Sequence, residues 1–326
     1  MSTDHCFLTR LVASAVKSVE TSSKVVKDIV KSGQLKIVDK GWNDLQTEAD
    51  RAAQYCIIKS LKGVFGSELC VIGEEEKESV VQTLEKELDE GVLKACENIP
   101  ENLKKIQLKD VVVWVDPLDG TKEFADGVKN SDSQLLSQVT MLVGIADATT
   151  RRPLAGVVHQ PFYRFSPADG QSTGRTVWAV VGVGVHGMDV LAPDKDKKTV
   201  VTTRSHSTEV VEEALSILGQ QGLCHEVERI GGAGYKVMKT LQGCHAYVFA
   251  SAGCKKWDTC APEALLMAAG GKLTDIHGDP LEYHAEVQYM NSAGVLATAP
   301  GVDASAYVAS IPQALKDTLN KVWKKK

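Results

Sequence analysis

The stretch VVVWVDPLDGT, residues 111–121, decides how the rest of the chain is read. Its first five residues are β-branched or aromatic with no polar break, the pattern of a strand buried on both faces. Two acids follow, Asp116 and Asp119, separated by Pro117 and Leu118. Pro117 fixes its own φ and lacks an N–H, so the turn is stiff. Gly120 admits a close backbone approach or a positive φ. Asp116 and Asp119 can therefore converge, with the Leu118 carbonyl beside them. Hard oxygen ligands on a rigid turn suit Mg²⁺, which keeps waters and accepts phosphate oxygens. The same letters equally fit a capped turn before a helix, with Asp119 or Thr121 as the cap.

Upstream, Phe7, Leu8, Leu11, Val12, Ala15, Val16 and Val19 recur at helical spacing, which predicts a helix from about Cys6 to Lys31 that stops at Gly33. Thr47 caps a second predicted helix that ends near Gly66. Glu68–Gly73 reads as a short strand and the highly charged Glu74–Asn98 as a solvated helix. Downstream, Val139–Ala146, Pro153–Gln160 and Arg175–Val181 read as strands with no long helix between them, hence an antiparallel sheet.

Beyond the charged stretch Leu191–Lys198 the texture turns to alternation. Strands are expected at Thr199–Thr203, His225–Glu228, Ala246–Ala250, Lys272–Asp275 and Ala293–Thr298. Helices are expected at Thr208–Leu218, Ala233–Leu241, Ala261–Ala269 and Ala304–Val322. The reading is an N-terminal α+β domain over residues 1–190 and a C-terminal α/β domain over 191–326, with Lys324–Lys326 as a solvated tail.

Charge and cysteine usage bound the function. The 326 residues carry 37 Lys and Arg against 42 Asp and Glu, a net charge of −5. That balance argues against long nucleic acid, which needs clustered cations, but not against a small anion. No apolar run approaches the roughly 18 residues of a membrane span. The eight cysteines are scattered without a CxxC pair and read as free thiols of a reducing cytosol, so a cytoplasmic protein is expected.

Three further acidic sites follow element ends. Glu74-Glu75-Glu76 comes after a predicted strand; at least one of the three belongs to a solvated charge run. Asp258 follows a Gly253 loop and fits the N-cap of the helix containing Pro262. Asp50 lies at the opening of the second helix, where acids are favoured by the dipole regardless of function. Each has a structural explanation singly; jointly they describe a cluster of metal carboxylates. By contrast Gly182-Val-Gly184-Val-His-Gly187 is a formal GxGxxG without the helix that a dinucleotide fold requires.

The chain resembles the lithium-sensitive, Mg²⁺-dependent phosphatases of the inositol monophosphatase superfamily. The matching pieces are DLQTEAD (44–50), VIGEEE (71–76), VVWVDPLDGTKEF (112–124), TTRSHS (202–207), GGAGYK (231–236), AYVFASAGCKKWDTCAPE (246–263) and GGKLTDIHG (270–278), in the expected order over nearly the whole chain. The resemblance implies a layered α-β-α-β-α sandwich. It implies that Glu74, Asp116, the Leu118 carbonyl, Asp119 and Asp258 hold two or three Mg²⁺ ions, with inhibition by Li⁺. It implies that Asp50 and Thr121 orient and deprotonate the attacking water, and that Gly120, Thr121, Ser205, His206, Gly232 and Lys236 contact substrate.

The helix starts at TRSHS and GGAGYK suit phosphate by their N–H groups. The implied reaction removes the 3′-phosphate of adenosine 3′,5′-bisphosphate to give AMP, and extends to 3′-phosphoadenosine 5′-phosphosulfate and inositol 1,4-bisphosphate. An inositol (poly)phosphate 1-phosphatase is the alternative, and a catalytically vestigial nucleotide-binding protein the alternative of another class. A monomer acting on a small nucleotide is expected. One departure stands out: residues 128–138, VKNSDSQLLSQ, run longer than the family pattern. Read as a polar surface excursion, this segment is expected to tolerate deletion of Lys129–Ser133 and two neighbours with activity intact or raised.

Overall fold

Alternation along residues 111–115 shows how the layers stack. Val111, Val113 and Val115 enter one apolar cluster, Val112 and Trp114 another, so this strand is buried on both faces. The computed structural model describes residues 5–33, 38–41, 44–77, 79–194 and 196–321. The Lys324–Lys326 tail lies outside the described residues.

Helix α1 (Phe7–Ser32) stops at Gly33 in the left-handed region, as its sequence predicts. A two-stranded ribbon, β1 (Val38–Gly41) and β2 (Asp44–Gln46), leads into α2 (Glu48–Phe65), capped by Thr47. The first large sheet begins with β3 (Val71–Gly73). After the short helices α3 (Glu90–Ala95) and α4 (Glu101–Lys104) it takes in β4 (Val111–Asp119). Helices α5 (Thr121–Asn130) and α6 (Ser133–Leu136) precede β5 (Thr140–Asp147), β6 (Pro153–Gln160), β7 (Arg175–Val180) and β8 (Gly184–His186). The strand order is β3-β4-β5-β6-β7-β8, antiparallel throughout except for the parallel β3–β4 pair.

The second sheet is built from β9 (Thr199–Thr203), α7 (Glu209–Gln220), β10 (Glu226–Ile230), α8 (Ala233–Leu241), β11 (Ala246–Phe249), α9 (Lys256–Ala269), β12 (Lys272–Thr274) and β13 (Val295–Thr298). Its order is β10-β9-β11-β13-β12, with β9 parallel to both neighbours and β13 antiparallel to both of its own. Helices α10 (Ala304–Ser310) and α11 (Gln313–Lys321) end the described chain.

Helices α1 and α2 cover the outer face of the first sheet, α8 and α9 lie between the sheets, and α7 with α11 covers the outer face of the second. The result is the α-β-α-β-α sandwich. The two sheets fall on either side of residue 191, yet one apolar cluster runs from Val112 and Leu142 through α9 to Val200 and Leu296.

Helix α9 lies unusually close to the first sheet because paired Gly144 and Gly156 present no side chains to it. A Cβ on Gly144 would fall 2.5 Å from Cys260 Sγ, and one on Gly156 2.3 Å from the Ala261 carbonyl oxygen. The N-terminal turn of α9 is thereby held near the end of β4.

Four expectations need correction. Among the described residues of 74–98, only Glu90–Ala95 is helical. The intervening chain is held over α1 and α2 by long-range bonds, Thr21 Oγ1 donating to Glu85 (2.7 Å) and Glu85 N–H to Ser60 Oγ (2.8 Å). Helix α9 starts five residues before Ala261, and Lys255, not Asp258, is its N-cap. The last helix is two, broken at Ile311-Pro312. The segment after Gly127 is no bare surface loop, since it forms α6 and buries Leu136. The GxGxxG stretch spans the β7–β8 turn and β8 itself, with no helix directly after it.

Candidate active site

Strand β4 carries its pairing with β5 through Asp116, breaks register over Pro117-Leu118, and resumes at Asp119. This irregularity brings both carboxylates to one end of the strand, where they are almost fully buried. Asp116 Oδ1 accepts the Leu118 N–H at 3.0 Å, which closes the turn. Gly120, in the left-handed region, is the N-cap of α5, so neither Asp119 nor Thr121 serves as the cap. Thr121 is the first helical residue, and its Oγ1 lies 3.1 Å from both Asp50 Oδ1 and the Leu118 carbonyl oxygen.

Asp50 comes from the first turn of α2, locked in a reciprocal cap with Thr47. The Thr47 N–H and Oγ1 donate to Asp50 Oδ2 at 2.8 and 2.5 Å. Burial pushes the Asp50 carboxyl up to about 7, against the lowering effect of the Thr47 and Thr121 hydroxyls.

The three consecutive glutamates separate. The Glu74 N–H bonds to the Val115 carbonyl at 3.1 Å, which extends the β3–β4 pairing and puts its side chain in the acidic centre. Glu75 turns to α2, its backbone bracketed by Gln54 (2.8 and 2.7 Å), and Glu76 is exposed. From the opposite wall, Asp258, third residue of α9, accepts the Lys255 N–H at 2.7 Å. The Lys255 ammonium stands 3.7 Å from Glu74. Burial, and then the neighbouring acids, hold Glu74, Asp116 and Asp119 above the usual carboxylate range.

Asp119 is the best held of the group. It accepts Thr140 Oγ1 at 2.7 Å and the Ala233 and Gly234 N–H groups at 2.8 Å each. The N-terminus of α8 is therefore turned on a carboxylate of the chain itself, which corrects the expectation that its amides there await a phosphate. Lys236, 5% exposed, reaches back to the Gly232 carbonyl at 3.1 Å and lies over the Tyr247 ring. Burial lowers its ammonium, with Asp119 the chief opposing charge. Ser205 Oγ and His206 Nδ1 lie 2.9 Å apart in the turn after β9, which the Thr203 hydroxyl closes by accepting the His206 N–H (3.0 Å).

These groups surround a cavity of about 350 Å³ between the two sheets. Glu74, Asp116, Leu118, Asp119, Gly120, Thr121, Ser205, His206, Gly232, Lys236 and Asp258 all line it, and Asp50 stands behind Thr121. Sequence reasoning missed Glu123, Tyr247, Phe249 and Lys255 in the lining, and Thr140 behind Asp119. Lys255 alone had a legible signal, its place three residues before Asp258.

As they stand, no three His, Cys, Asp or Glu side chains among the described residues close on one point. Asp119 and Asp258 face backbone amides instead. The chemistry of the donor set nonetheless fits a hard divalent cation. Four carboxylates and a backbone carbonyl meet in one cavity, and their mutual repulsion is what such an ion relieves.

Five alternating layers with an acidic centre between the two sheets define the class of layered α/β phosphatases. The family model for the inositol monophosphatase family matches residues 8–316, and the chain belongs to that family. It is 43% identical over 325 residues to a human protein named 3′(2′),5′-bisphosphate nucleotidase 1, covering 98% of this chain and 99% of that one. A protein of the same name from Dictyostelium discoideum is 35% identical, covering 88% of this chain and 92% of its own length. Among solved structures, inositol monophosphatase II from Staphylococcus aureus superposes with a TM-score of 0.62 at 18% identity, covering 94% of this chain and 97% of that one.

Proposed function

We propose that this chain is a Mg²⁺-dependent phosphomonoesterase that removes the 3′-phosphate of adenosine 3′,5′-bisphosphate, giving AMP and phosphate. The observation that carries the reading is the Asp50–Thr121 pair. A buried carboxyl held near neutrality is joined to a hydroxyl that opens on the carboxylate-lined cavity. The full-length likeness to the human nucleotidase supports the substrate.

Metal-dependent phosphatase chemistry is general to the family. Glu74, Asp116, the Leu118 carbonyl, Asp119 and Asp258 would hold two or three Mg²⁺ ions. Bound there, Mg²⁺ would supply Lewis-acid stabilisation of the phosphate's negative charge, and inhibition by Li⁺ is expected. The chain's own residues do the rest. Thr121 Oγ1 accepts a proton from the attacking water as its own proton passes to Asp50. The new P–O bond forms as the bond to the 3′-oxygen breaks, and that oxygen takes a proton from solvent. Gly120 and Thr121, at the start of α5, offer N–H groups to the transferred phosphate. Ser205, His206, Gly232 and Lys236 hold the nucleotide and its second phosphate. The protein is expected to act as a cytoplasmic monomer.

Phosphate release from adenosine 3′,5′-bisphosphate and from inositol 1,4-bisphosphate, with Mg²⁺ and then with added Li⁺, tests the reading. Release from the nucleotide that Li⁺ suppresses is expected, and its abolition by Asp116→Asn or Asp119→Asn. Wild-type rates in either variant would sink the site assignment. No release from either substrate would sink the function.

A further inference from the structure

We infer that Gln138 is a positioning residue for this site, fixing the loop Gly231–Gly234 through one buried hydrogen bond; the inference rests on the phosphatase reading above. Gln138 is 8% exposed, and its Oε1 accepts the Gly231 N–H at 2.6 Å across 93 residues of sequence. It is the last residue before Val139 in the stretch lengthened after Gly127. Its position is set by α6. Asp132 caps that helix, accepting the Gln134 and Leu135 N–H groups, and the Gln138 N–H bonds to the Leu135 carbonyl at 3.0 Å. Leu136 packs against Gly127 of α5.

The loop is clamped from both sides. Opposite Gln138, the Glu123 side chain fills the space where a side chain of residue 231 would stand. A Cβ there would lie 2.0 Å from the Glu123 carboxyl carbon. Glu123 is itself fixed by Arg204 Nε at 3.0 Å. The Gln138 carbonyl oxygen lies 2.7 Å from where a Cβ of Gly232 would be. From this clamped start the next residues reach the chemistry directly. Ala233 and Gly234 donate to Asp119, and the Gly232 carbonyl accepts Lys236 Nζ. One loop thus sets both an assigned metal ligand and an assigned substrate cation. Without the Gln138 oxygen, the Gly231 N–H is a buried donor that must find another partner, and the loop shifts to provide one.

Gln138→Met keeps the length of the side chain and removes the acceptor. The expected result is a rise of about tenfold in KM for adenosine 3′,5′-bisphosphate, the factor one hydrogen bond carries, with a smaller fall in kcat. Amide hydrogen exchange over Gly231–Gly234 should quicken as well. Gln138→Glu, which keeps an acceptor oxygen, should restore slow exchange and most of the KM. The exchange measurement reads the clamp without turnover, so a wild-type protein inactive on this substrate would count against the proposed function and leave the clamp to be judged on exchange alone. Wild-type KM and unchanged exchange in Gln138→Met would overturn the inference, and so would a fall in melting temperature with neither of these altered.

Discussion

Asp50 illustrates how burial changes what a carboxyl can do. Solvated, it would be too weak a base to hold a proton at neutral pH. Fully enclosed beside Thr47 and Thr121, it is held at about 7, where it accepts a proton readily. It is joined to the cavity through the Thr121 hydroxyl at 3.1 Å. Thr121→Val therefore keeps the shape of the side chain and cuts the relay. Such a base contributes on the order of 100-fold or more, so kcat should fall by at least about that factor with KM little changed. Thr121→Ser, which retains the hydroxyl, should keep most of the rate. Steady-state phosphate release decides it; a Thr121→Val rate close to wild type would sink the relay.

At the scale of elements, β6 joins α1 through a polar chain that runs from buried His159 to the partly exposed Glu20. His159 Nδ1 and Thr176 Oγ1 lie 2.9 Å apart, and Thr176 donates to Glu20 of α1 at 2.9 Å. Among the described residues, His159 Nε2 meets no hydrogen-bond partner. Burial, helped by the Lys27 charge, pushes the imidazole down to about 3, so the folded state prefers it neutral. That preference contributes its full stability above the ordinary value near 6.5 and loses it as pH falls toward 3. By pH 5 the loss is about 2 kcal/mol. In His159→Gln, the difference in urea stability between pH 7.5 and pH 5 should shrink by that amount. No shrinkage would place the acid sensitivity elsewhere.

The same scale shows what the sequence could reveal. Helices and strands with a continuous local pattern were legible, including α1, α2, α8 and the first five residues of β4, Val111–Val115. The stretch after Glu74 was not, because its apolar residues fall at helical spacing while distant groups claim it: Thr21 donates to the Glu85 carboxylate, Ser60 Oγ accepts the Glu85 N–H, and the Ala13 carbonyl accepts the Asp89 N–H at 3.2 Å. Carboxylates on stiff turns announced the site. Thr140 and Gln138 did not, since each acts across a sheet or loop with no local signature.

For the molecule as a whole, the acidic centre is where the layers are tied together and where they repel. Glu74 follows β3, Asp116 and Asp119 end β4, and Asp258 comes from α9 on the far wall. Folding brings these acids into one buried space, where burial and the neighbouring carboxylates, Asp258 among them, hold Glu74, Asp116 and Asp119 above the usual carboxylate range. Without a cation the fold therefore carries a penalty that its active site imposes. Asp258→Asn should remove part of that penalty while its side-chain oxygen still accepts the Lys255 N–H. The variant should melt at or above the wild-type temperature in the presence of a chelator, yet show no turnover. Added Mg²⁺ should raise the wild-type melting temperature, since an ion at a hundred times its dissociation constant stabilises by about 2.7 kcal/mol. The variant should respond far less, for lack of one ligand. Calorimetry with and without Mg²⁺ separates the two contributions. A metal-free variant that melts well below wild type would show that the ionised Asp258 stabilises the fold by itself, and the repulsion argument would fail.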